Sequence, residues 1–195
     1  MSDVLDEARE EGPLGQPRFS SAVAATVACV PVSAGQRRTG SPLLAFRLER
    51  GSTGFRHSSD SPLPETDPRA CRAAWYAAAR AACGQVGTFA EQQYPQNFHS
   101  ATINDRDGVH VALFHAQYPL IAFVDDRCYW YTDGFQDPPA WAAPLNDFGF
   151  TVLSASLLMS PLAEADTAAL SAAEWRQIKH WQPGTLGATL FNSWD

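Results

Sequence analysis

No apolar run in this 195-residue chain approaches the roughly 20 residues that a membrane-crossing helix needs, so no membrane partner is expected. Basic residues are scarce: 14 Lys and Arg stand against 21 Asp and Glu, for a net charge of −7. That balance excludes a basic surface for nucleic acid and is compatible with a basic protein partner. Paired cysteines are missing too. Cys29, Cys71, Cys83 and Cys128 are widely spaced without a CxxC, and read as buried thiols instead of a disulfide framework. The first residues, MSDVLDEAREEG, lack the basic-then-apolar order of a secretory signal, so a cytoplasmic location is expected.

Signatures of chemistry are absent as well. There is no HExxH, no zinc-deaminase signature, no phosphate-cradling glycine loop and no GxGxxG, and no pattern implies a cofactor or metal. Gly51-Ser52-Thr53-Gly54 is not a nucleophile elbow, because its serine follows the first glycine directly. Asn104-Asp105-Arg106-Asp107-Gly108 glances at a calcium loop. With Gly108 in sixth place, Ile103 and Phe114 would be the first and twelfth residues, and neither can ligate, so the stretch reads as a hairpin turn. His110 and His115 are five apart on one strand and point to opposite faces, so they cannot chelate together.

What the chain does have is strand signal. Phe98 to Thr132 reads as a four-strand meander: His99–Ile103, Val109–Ala116, Leu120–Val124 and Cys128–Thr132, broken at Gly108, Pro119 and Asp125-Asp126-Arg127. Val109–Ala116 is apolar on both faces, as a central strand covered on both sides should be. Strands are also expected over Ser20–Val32, Leu43–Glu49 and Phe148–Leu153. The clearest helix starts at Asp67-Pro68 and stops at Gly84, with Trp75 expected to pack on the sheet. Ser171-Ala172-Ala173-Glu174 is a capping box that opens a second helix, and Leu186, Leu190 and Trp194 suggest a short third one. Gly51–Pro68, rich in Ser, Gly and Pro, is a long connection that is either functional or loosely ordered.

The expected fold is therefore α+β: an antiparallel sheet around the meander, packed by one long helix and two short C-terminal helices. The expected organisation is an acidic tail over residues 1–17 and a single domain over 18–195. Within it, Tyr129, Trp130, Tyr131, Phe135 and Trp141 cluster around Asp125, Asp126, Asp133 and Asp137. Aromatic contacts rimmed by one sign of charge are what a protein-binding surface offers. The competing reading places alternate members, such as Tyr129 and Tyr131, in the core.

The C-terminal run Trp175…Ile178…Trp181-Gln182-Pro183…Gly187…Phe191-Asn192-Ser193-Trp194-Asp195 resembles the ending of small proteins of high-GC bacteria. Some of these are similar in size, acidity and α+β character to immunity proteins that neutralise polymorphic toxins. The resemblance implies a cytoplasmic inhibitor that plugs a toxin's basic active-site cleft, and it brings no site residues with it. The acidic-aromatic cluster is the surface expected to dock. The alternative is a small enzyme using His99, His115 or Cys128 beside the sheet.

Overall fold

Among the described residues a six-stranded, mostly antiparallel sheet carries the fold, and its central strand is apolar on both sides because both sides are covered. The structure is a computed structural model and describes residues 45–125 and 134–195, which belong to one compact unit, Ser41–Asp195. The tail expected over 1–17 and the strands expected over Ser20–Val32 and Cys128–Thr132 lie outside the described residues.

Helix α1, Pro68–Ala81, begins as its sequence requires: Asp67 accepts from the Arg69 amide, and proline occupies the first turn, where no donor is needed. Strand β1, Gln85–Ala90, follows and pairs with β2, Phe98–Asp105. A tight turn then leads into β3, Gly108–His115. Asp105 holds that turn by accepting from the Asp107 amide at 2.8 Å, and Gly108 takes a φ of +126°, open to glycine alone at little cost. β4, Leu120–Val124, pairs with β3 on one side. Its other side is shared by β5, Phe135–Gln136, antiparallel, and by β6, Thr151–Val152, parallel.

Alternation along the strands sorts the side chains into two cores. Ala101, Ile103, Ala112, Phe114, Ile121 and Phe123 face α1, where Trp75 is 1% exposed and packs edge-on to Phe114. The opposite face, with Phe98, Val111, Leu113, Ala122 and Val124, is covered by three C-terminal helices: α3 (Ala155–Leu158), α4 (Ala172–Trp181) and α5 (Leu186–Leu190). Phe191 and Trp194, from the segment that carries the resemblance, are buried in this second core. The α+β class is as expected; β1, α3 and the one-turn helix α2 (Pro144–Asp147) are additions to it.

Three expectations need correction. Ala45–Glu49 forms no strand; Arg47 makes an isolated parallel bridge to Asp166 instead. The strand expected from Phe148 is only Thr151–Val152, because Phe148 caps α2. The left-handed residue after α1 is Cys83, at φ 50°, and not Gly84. The Gly84 and Cys83 amides return to the Ala79 and Arg80 carbonyls in a Schellman arrangement. Gly84 serves a different need: a Cβ there would lie 2.8 Å from Ile103 Cγ2, so only glycine lets the chain approach β2. Because Cys83 is exposed and strained at this position, Cys83→Gly should raise stability by about 0.5–1 kcal/mol, read as a higher denaturant midpoint. A lower midpoint would contradict the cap geometry.

Candidate functional site

The hairpin between β2 and β3 sets up a part-buried polar group at the surface of the fold. Register pairs Ile103 with His110, which puts Asp105, two residues on, diagonally across from His110 on the same face. His110 Nε2 lies 3.0 Å from Asp105 Oδ1, and the Trp141 indole donates to Asp105 Oδ2 at 2.8 Å. With the Asp107 amide, three groups converge on a carboxylate whose side chain is 2% exposed. Burial pushes the Asp105 carboxyl up, but these hydrogen bonds and the adjoining His110 outweigh it and hold it below the usual carboxylate range. The His110 ring is clamped from a second direction, edge-on to Trp141 at 5.3 Å. Trp141 in turn packs on Trp75 and Phe123 of the core.

Two grooves meet at His110 and Pro139, which line both. The first, about 380 Å³, has an apolar lining of Val109, Val111, Phe123 and Val124, with Asp125 and Asp137 beside it. Val109 is 66% exposed there. The second, about 480 Å³, runs between the end of α1 and the hairpin, past Cys83, Arg106, Asp107 and Trp141. Asp125 accepts from Gln136 Nε2 at 2.7 Å and Asp137 from the Ala155 amide at 2.9 Å. Among the described residues neither has a cationic partner.

The structure thus divides the expected docking set. Asp125 and Asp137 are exposed and share one groove. Trp141 is half-buried, its indole committed to Asp105, with the rest of the ring lining the second groove. Phe135 is corrected to a core residue: on β5 it points inward, 5% exposed and 6.2 Å from Phe191, while Gln136 points out. Asp126, Tyr129, Tyr131 and Asp133 lie outside the described residues, as does Cys128. Asp105 and His110, absent from the expected set, are its best-ordered neighbours. The visible signal for them was the hairpin register.

A second polar cluster is buried and closed on itself. Glu174, 0% exposed, accepts through Oε1 from the Gly51 amide and from the Thr53 amide and hydroxyl, and through Oε2 from the Ser171 amide. Next to it His115 Nε2 lies 2.8 Å from the Ser52 carbonyl, while Nδ1 accepts from the Gln117 and Tyr118 amides. Both ring nitrogens are therefore committed, and burial pushes the ring's pKa down to about 4. Asn97 and Asn192 exchange backbone and side-chain bonds across the same region. The connection after Gly51 is ordered where this cluster grips it.

His99 and His115 sit on opposite faces of the sheet, since His99 pairs with Phe114 and His115 with Phe98. His99 Nδ1 accepts from the Gln92 amide, and desolvation lowers its pKa. Burial pushes the Cys71 thiol up to about 12. Among the described residues no group of three His, Cys, Asp or Glu could hold a metal ion, and no helix is long and apolar enough to cross a membrane. No protein family, curated protein or solved structure matches the chain.

Proposed function

We propose that this is a cytoplasmic binding protein of the immunity type, which inhibits a toxin by docking an acidic, apolar-lined face against a basic cleft of that partner. The observation that carries this reading is the first groove: exposed Val109 and its apolar neighbours, beside two carboxylates that no cation of the described residues neutralises. Val109, with the half-buried Pro139 beside it, would supply apolar contact area. Asp125 and Asp137 would steer a basic partner, an effect that acts mainly on the association rate and fades with salt. The net charge of −7 works in the same direction. The enzyme alternative draws less support from its histidines, because His115 has both nitrogens bonded and His99 is buried with Nδ1 bonded, while its third candidate, Cys128, lies outside the described residues.

Reversing both charges, Asp125→Lys with Asp137→Lys, should weaken partner binding by at least about tenfold, mostly through slower association, while loss of the bond from the Ala155 amide lowers stability by about 1 kcal/mol and leaves the domain folded. Surface plasmon resonance at two salt concentrations checks this. Unchanged kinetics in the double variant would remove this face from the interaction.

A further inference from the structure

We propose that His110, positioned by Asp105, is the hydrogen-bond acceptor with which this face receives a lysine or arginine side chain of its partner. The inference rests on the docking reading above and names the atom that does the recognising.

The chemistry follows from the carboxylate. An ionised Asp105 can only accept, so the His110 nitrogen 3.0 Å away, Nε2, must carry the proton. In the neutral ring that leaves Nδ1 with a lone pair, and Nδ1 has no partner among the described residues. The ring cannot easily turn away, because Asp105 holds one edge and Trp141 packs perpendicular to it at 5.3 Å. His110 is about one-quarter exposed and sits where the two grooves join. A fixed acceptor at that junction suits an incoming N–H donor.

Charge decides which donor. The groups around His110 are Asp105 on β2, Arg106 and Asp107 in the hairpin, Asp125 after β4, Asp137 after β5, and the Cys83 thiol at the end of α1. Arg106, the cation among them, lies 3.5 Å from an Asp107 oxygen and is largely exposed. Among the described residues no cation pairs with Asp125 or Asp137. An ammonium or guanidinium entering there meets carboxylates beside it and the His110 lone pair at the junction, while its alkyl stem lies along Val109 and Pro139. An anionic side chain entering on the Asp125–Asp137 side would be repelled by both carboxylates.

Oligoarginine amide serves as the probe, followed by titration with long-range ¹H–¹⁵N spectra of the histidine rings and amide spectra of the whole protein. Binding should shift His110 Nδ1 and the Trp141 indole first. His110→Phe, which keeps ring bulk and removes the acceptor, should weaken binding about tenfold. His110→Gln, which can still donate to Asp105 and offer a carbonyl oxygen, should recover part of that loss. Undisturbed amide resonances of the C-terminal core around α4 and α5, remote from the substituted ring, certify the fold of the free variants. If Asp125→Lys with Asp137→Lys weakens the probe but His110→Phe does not, the His110 assignment fails and the docking reading stands. If wild-type protein shows no saturable shift at low salt, both fail.

Discussion

Glu174→Ala should lower the stability of the domain by about 3–5 kcal/mol, read as a shift in denaturant midpoint at constant slope. A capping-box glutamate alone would not cost so much: an exposed N-terminal cap is worth about 1 kcal/mol. The difference lies in Oε1, which reaches across the chain to the Gly51 and Thr53 amides and the Thr53 hydroxyl. Removing the carboxylate leaves these donors and the Ser171 amide unpaired in a region where Ser52 and Thr53 are also buried. Each buried orphan costs about 1–3 kcal/mol. Glu174→Gln keeps one acceptor oxygen and nearly the same volume, and should cost roughly half as much. A loss under about 1 kcal/mol for Glu174→Ala would mean that this residue does not hold the connection.

Acidification should cost a comparable amount through a single ring. His115 is fully buried, bonded through both nitrogens, and its pKa is pushed from the ordinary 6.5 to about 4 by burial. Between those values the unfolded chain binds a proton that the folded chain refuses, so stability is complete above about pH 6.5 and declines toward pH 4. At 1.36 kcal/mol for each pKa unit, the loss at the lower end is about 3 kcal/mol. His99, shifted the same way by burial, adds to it. Asp105, with its carboxyl held low, contributes stability above its unfolded pKa and loses it only as the pH falls further. The check is urea unfolding between pH 7.5 and 4. His115→Asn, which cannot take up a proton in this range, should flatten most of the decline while lowering stability at neutral pH. A pH profile unchanged by His115→Asn would show that the ring is not the titrating group.

What could be read from the sequence was local. The Asp67 cap, the proline behind it, the Ser171–Glu174 box and the Gly108 hairpin each depend on residues within a few positions, and each is present in the structure. The double-sided burial of β3 was readable from its two apolar faces. What escaped depended on distance. β1 is a six-residue strand interrupted by Gly87, at the edge of the sheet among the described residues, and its place is set by β2, where a Cβ on Gly87 would collide with Thr102. Glu174 was legible as a cap, but its second oxygen bonds residues more than 120 positions away. Phe135 and Trp141 looked like candidate surface aromatics because strand parity and the Asp105 bond cannot be seen without the sheet. Of the candidate site, the acidic rim was visible in composition. The Asp105–His110 pair could have been found by extending the hairpin register two residues.

The most direct measurement is affinity capture from the source cells with two baits, the wild-type chain and the folded Asp125→Lys, Asp137→Lys variant, followed by mass spectrometry of the eluates. One stoichiometric protein partner with a basic cleft, held by the wild type and lost by the variant, is the expected result. A partner retained equally by both baits, or none held by the wild type under any growth condition, would contradict the claim that this face is the docking surface.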